Sequence, residues 1–190
     1  MRVASLLVVL LVAAGCSLSD DSGATIDFAQ LQRLVLQPGD VGPAFTRFDE
    51  GRQGGVDLPA GVPPGGEGWK ARYRRPGTPA TEGPLVIASL VNRFPSAEDA
   101  DEQLEARRSD LEGSDIAWRE EPATGLGEEA VAFTHEEGSG AARVGFAVVA
   151  WRRANITASI EVNGFAGNLG LEDALELARK QAARIDEAAS

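Results

Sequence analysis

Carboxylates are the side chains in this sequence best supplied for acid–base chemistry: Glu120-Glu121, Glu128-Glu129, Glu136-Glu137, and Asp99 with Asp101. Paired acids can hydrolyse glycosides or hold Ca²⁺. The spacing speaks against both uses here, because no EF-hand loop occurs and adjacent acids in a strand point to opposite faces. A solvated acidic surface accounts for them, with Glu128 or Glu129 kept as the group on which a hydrolase would be built. His135 is the sole histidine, so any Ser-His-Asp triad must use it, yet no Gly-x-Ser-x-Gly elbow occurs. Its place beside Glu136-Glu137-Gly138 reads as an exposed turn. No His-x-x-His or cysteine pair supports a zinc site. Gly125-x-Gly127 is too short for a dinucleotide fingerprint and precedes a strand rather than a helix. Trp69, Trp118 and Trp151 could line a pocket, but packing on a sheet face is the commoner fate of aromatics in strands. Asn155-Ile156-Thr157 reads as a turn. The expectation is a chain with no catalytic set, no metal and no cofactor.

One residue remains with chemistry of its own. Cys16, the only cysteine, follows Met1-Arg2, an aliphatic run over 3–12 and then Ala13-Ala14-Gly15. A basic start, a short apolar run and small residues at the cut are the layout of a secretory signal. The run is about half the roughly 20 apolar residues a membrane-spanning helix needs. Ending on a thiol, it resembles the lipobox of bacterial lipoprotein signal peptides, although Ala13 stands where Leu is commoner. That resemblance implies diacylglycerol on the Cys16 sulfur and cleavage before it. One acyl chain holds a protein to a membrane only marginally, whereas two or three hold it essentially permanently.

The expected organisation is a signal peptide over 1–15, a lipidated start and flexible tether over 16–25, and a single domain over 26–190. The tether, Ser17 to Thr25, should reach about 15–18 Å on average. The composition, 43% apolar and 25% charged, is that of a globular domain. The net charge of −11 disfavours nucleic acid, which needs clustered Lys and Arg. It also leaves the membrane attraction to the acyl chains.

The elements that must carry these residues read as follows. A first helix is expected at Asp27–Leu36, with Phe28, Leu31, Leu34 and Val35 on one face and Pro38-Gly39 ending it. The Gly/Pro-rich stretch 51–68 reads as an irregular loop, either a lid or disordered. Trp69, Ala71 and Tyr73 alternate with Lys70, Arg72 and Arg74 as a half-buried strand, and Leu85–Phe94 forms a longer one. Ser96 caps a helix over 96–112 whose apolar side is Ala97, Ala100, Leu104 and Leu111, with Gly113 at its end. Short strands are expected at Ile116–Arg119 and Ala130–His135. Arg143–Trp151 and Ile156–Val162 make a hairpin about 152–155. A last helix over 171–188 turns Leu171, Leu175, Ala178, Ala182 and Ile185 inward. Runs of strands punctuated by few helices predict an α+β fold: a largely antiparallel sheet of about five to seven strands flanked by two to three helices.

Several segments carry a resemblance: Leu36-Gln37-Pro38-Gly39-Asp40, the helix after Phe94-Pro95-Ser96, Gly125-Leu126-Gly127-Glu128-Glu129-Ala130, and Val149-Ala150-Trp151-Arg152-Arg153-Ala154-Asn155. Together they are similar to a group of small actinobacterial-type lipoproteins. Some members of that group are similar to the PsbP/Mog1-like fold and to extracellular sensor domains of bacterial kinases. The resemblance implies an antiparallel sheet with helices on its faces and carries over no catalytic residues. The functional expectation is a non-catalytic lipoprotein on the outer face of the cytoplasmic membrane, anchored through Cys16. Its domain would bind an envelope protein or small ligand. The alternative is a carrier of lipid or amphiphile with an apolar cavity under the sheet.

Overall fold

The computed structural model describes residues 25–53, 67–126 and 129–189. Cys16, the expected signal peptide, residues 16–24 of the expected tether and most of the Gly/Pro stretch lie outside them. The fold is α+β. Seven antiparallel strands form one sheet in the order β1-β2-β3-β7-β6-β5-β4. They are β1 (Thr46–Gln53), β2 (Glu67–Arg74), β3 (Val86–Arg93), β4 (Arg119–Glu121), β5 (Ala130–Glu137), β6 (Val144–Arg153) and β7 (Ile156–Phe165). The short helices α1 (Leu31–Leu34) and α2 (Pro38–Val41) precede the sheet, α3 (Ala97–Glu112) follows β3, and α4 (Leu171–Ala188) ends the chain.

Period-2 alternation divides the sheet into two faces. One carries Tyr73, Ile87, Val91, Val149, Trp151, Ile156 and Ile160, all buried against α4 and the N-terminal segment. The other carries Val131, Phe133, Val148 and Ala150, buried against Leu104 and Leu111 of α3. α4 contributes Leu175, Ala178 and Ile185 to the first core as the spacing predicts, and the leucine and isoleucine side chains are each worth about 1.5–3 kcal/mol when taken out of water. α3 begins on a reciprocal cap: the Ser96 Oγ accepts from the Asp99 N–H at 3.0 Å, and the Ser96 N–H donates to the Asp99 carboxylate at 3.1 Å. Its expected inward Ala97 is exposed, one turn ahead of the buried Ala100.

Four expectations need correction. The helix expected at Asp27–Leu36 is a 3-10 turn (Phe28–Gln30) running into the single turn of α1, after which Val35 is extended with ψ 158°. Ile26, Leu31, Leu34, Val35 and Leu36 are buried while Asp27, Ala29, Gln32 and Arg33 are exposed. The three consecutive buried residues Leu34-Val35-Leu36 cannot share one face of a helix, so the chain leaves the helix at Val35 and runs on as a strap against the core. Pro38 opens α2 at its first position, where its missing N–H costs nothing, rather than only closing α1. The Gly/Pro stretch is shorter than 51–68, because Gly51–Gln53 belong to β1 and Glu67-Gly68 to β2. Finally, the strand expected at Ile116–Arg119 runs instead over Arg119–Glu121, where it pairs with Ala132–Thr134, and leaves Ile116 exposed.

Buried polar groups fasten the strap. The Ser89 hydroxyl accepts from the Leu36 N–H at 2.9 Å and donates to the Gln181 amide oxygen at 2.8 Å. Gln181 in turn donates to the Leu90 carbonyl at 3.0 Å. The Tyr73 hydroxyl donates to the Leu36 carbonyl at 2.6 Å. At the other end of the strap, Asn155 accepts from the Ile26 N–H at 2.9 Å and donates to the Phe94 carbonyl at 3.0 Å. The β6–β7 turn is tighter than expected, with only Ala154 and Asn155 between the strands, and Ala154 takes a left-handed φ of 50°.

Two outcomes follow from this geometry. Ala154→Gly should raise stability by about 0.5–1 kcal/mol in urea unfolding, since removing the left-handed strain outweighs the freer unfolded chain. Tyr73 is the only tyrosine, and burial, opposed by the Arg47 guanidinium, pushes its phenol above the ordinary value. A raised folded value gives stability that is whole below the unfolded value of about 10 and is lost as pH rises through the folded one. Unfolding free energy should therefore fall above about pH 10, and fall less steeply in Tyr73→Phe. That variant should lose about 1–3 kcal/mol near neutral pH, because the Leu36 carbonyl is left without its donor.

Candidate functional site

A groove of about 480 Å³ opens where β4, β5 and β6 meet the start of α4. Arg119, Thr134, Glu136, Gly145 and Ala147 line its sheet side, and Leu169-Gly170-Leu171 its helix side. Glycine at 145 suits the close approach there, because a Cβ would stand 3.2 Å from the Ala166 Cα. The wall is amphipathic. Arg119 reaches Thr134 at 3.3 Å and pairs with Glu121, while Glu136 is held by Arg143 at 3.1 Å. These pairs are solvent-exposed, so each is worth about 0–1 kcal/mol and can be exchanged for a ligand's polar groups at little cost.

The carboxylates singled out from the sequence are dispersed. Glu120 and Glu121 fall on opposite faces of β4, as alternation requires: Glu120 meets Arg108 of α3 at 3.6 Å, and Glu121 lines the groove. Glu129 is paired with Arg152, which also meets Asp101 at 3.4 Å; Glu128 lies outside the described residues. Asp99 caps α3. Among the described residues no three His, Cys, Asp or Glu side chains converge as a metal-holding group.

The three tryptophans do not share a pocket either. Trp151 is buried in the α4-side core, and Trp69 packs on that core from β2, three strand spacings or about 14 Å away. Trp118 packs on the opposite face, beside the α3 core. The Asn155 turn proves to be the buried clasp described above, a role that only its fold neighbours reveal.

His135 stands at the end of β5, half-buried, where the sequence suggested an exposed turn. Its ring lies 5.5 Å from Trp118 and 6.0 Å from Phe146, and its Nδ1 is 3.3 Å from the Ala117 carbonyl. These contacts make it the aromatic link between the β4 approach and β6. His135→Ala should lower stability by about 1 kcal/mol, the loss of one such ring pair, as read by urea unfolding followed through tryptophan fluorescence.

Among solved structures, the fold matches the extracellular domain of PknH from Mycobacterium tuberculosis, with a TM-score of 0.68 over 87% of this chain and 99% of that one, at 9% identity. No protein-family model matches the chain, and no characterised protein matches it by sequence. At that identity the likeness establishes a shared fold.

Proposed function

We propose that this protein is a lipoprotein of the bacterial envelope, held on the outer face of the cytoplasmic membrane by acyl chains on Cys16, whose α+β domain binds a partner protein or small ligand without catalysis. The observation that carries this reading is the basic, apolar, small-residue leader ending on the only cysteine of the chain. One structural fact supports it. The chain shares its fold with a domain that is extracellular. The Ile26 N–H is bonded to Asn155, which fixes the first part of the described chain to the sheet. Among the described residues no helix is long and apolar enough to cross a membrane. In this proposal the acyl chains carry the attachment.

Binding is assigned to the open groove between β4–β6 and α4 rather than to a chamber under the sheet. The space between sheet and α4, where a carried lipid would lie, is filled by Ile26, Leu31, Val35, Leu36 and the α4 side chains. The groove instead offers exposed ion pairs over an apolar floor, suited to a polar ligand or a peptide loop.

Cys16→Ala tests the anchor. Cell fractionation should find the wild-type chain with membranes and the variant in the medium or as uncleaved precursor. The intact mass of the mature wild type should begin at Cys16 and include diacylglycerol. A variant of mature length that still sediments with membranes, or an unmodified thiol at the mature terminus, would overturn the proposal.

A further inference from the structure

The α3 side of the sheet is covered over only part of its width. α3 rests on β6 and β7, whereas β2 and β1 lie beyond β3 towards the far edge. Alternation along β2 sends Lys70, Arg72 and Arg74 to this bare half. Asp49 is 3.2 Å from Lys70 and 3.7 Å from Arg72. Phe48, at the irregularity where β1 slips register against β2, is 41% exposed, and the Arg72 and Arg74 guanidiniums stand 5.3 and 5.2 Å from its ring. Arg74 has no ion pair among the described residues. A chain of net charge −11 thus keeps a stripe of three cations and an exposed phenyl ring on one open half-sheet.

The other half of the same side presents the opposite charge. With Ala100, Leu104 and Leu111 turned to the sheet, the outward row of α3 is Glu98, Glu102, Glu105, Ser109 and Glu112, at spacings of four, three, four and three. Glu105 is matched by Arg108 at 3.5 Å, while Glu98, Glu102 and Glu112 have no ion pair among the described residues. Each molecule therefore carries a raised acidic ridge beside a recessed basic floor.

We propose that two copies of this chain associate as a two-fold dimer in which α3 of each copy seats on the β1–β3 half-sheet of the other. The dimensions agree. A 16-residue helix is about 24 Å long and 10–12 Å wide. Three strands of eight residues make a floor about 26 Å long and 14 Å wide, of which the Gln53–Gly68–Asn92 row at one end is already buried, leaving about 20 Å open. A two-fold axis running along the strands between the two halves brings each ridge onto the other's floor, the self-complementary contact of a closed dimer. Counting both surfaces of both contacts, this buries about 1,000 Å², the area a specific interface must clear. At about 0.15 M salt the repulsion between the two net-negative copies is largely screened beyond about 8 Å, so the charges that meet at contact, ridge against floor, count for most. An anionic lipid surface would also attract the cations, but it would have to press equally against the acidic ridge standing beside them. A second copy satisfies both halves at once.

Charge reversal in the full chain, purified in detergent and measured by sedimentation velocity at about physiological salt, tests this. Wild type should sediment as a dimer. R72E/R74E and E98R/E102R should each dissociate at least about tenfold more readily. An equal mixture of the two variants should restore the dimer, since both of its contacts again join opposite charges. Thermal melts matching wild type establish that the variants are folded, as expected for exposed side chains. A wild type monomeric at about 100 µM, variants that remain dimeric, or folded variants whose mixture stays monomeric would each overturn the proposal. A monomeric Cys16→Ala chain that binds phosphatidylglycerol vesicles, and loses that binding with R72E/R74E, would overturn it in favour of a lipid-facing floor.

Discussion

The burial of an N-terminal strap with irregular backbone is the constraint on which the rest of this fold depends. Residues 26–36 carry five fully or nearly fully buried aliphatic side chains between α4 and the sheet. Their backbone makes neither a long helix nor a strand, so its N–H and C=O groups need partners from side chains. Ser89, Tyr73 and Asn155 supply them, and Gln181 ties the Ser89 hydroxyl to α4. A buried amide left without a partner costs about 1–3 kcal/mol, a large part of the stability of a domain this size. Sheet, strap and last helix therefore share one polar node at Ser89. α4 cannot reseat without stranding the Ser89 hydroxyl, and the strap cannot leave without opening the core.

The two faces of the sheet are treated unequally. The strap and α4 together cover the face that runs from Tyr73 on β2 to Ala132 on β5. On the other face α3 works alone over a small core made chiefly by β5 and β6. The strands on that side change character along the sheet order: β5 and β6 turn Phe133 and Val148 inward, whereas β2 turns out lysine and arginine. The helix sits where the apolar residues are and leaves the rest bare, as expected when burial of apolar area governs where a helix docks.

How much of this could be read in advance depended on where the determining contacts lie in the chain. The β6–β7 hairpin and α3 and α4 were legible because period, cap and stop signals are local: Val144–Val162 alternates, Ser96 caps α3, and Gly170 precedes α4. β1 was not, because Thr46–Gln53 contains four charged residues among eight and shows no apolar alternation. Its pairing is fixed instead by β2, partly through Asp49 meeting Lys70 and Arg72. The strap departs from its expected helix for a different reason: its apolar residues satisfy a helical period up to Leu34, but burial of Leu34, Val35 and Leu36 in succession requires extended backbone after the first turn. Of the candidate sites, the Cys16 segment is a linear pattern in the sequence and lies outside the described residues. The groove is assembled by strand register from Arg119, Thr134 and Gly145 together with the loop before α4, and no local signal announces such a meeting.

The clasp between Ile26 and Asn155 has a mechanical consequence. It sits at the tip of the hairpin formed by two central strands, and from there the strap runs inward to Ser89 near the middle of β3. Lifting the amino-terminal segment from the fold would thus require breaking bonds at two separate places, the Asn155 clasp and the Leu36 contacts with Ser89 and Tyr73.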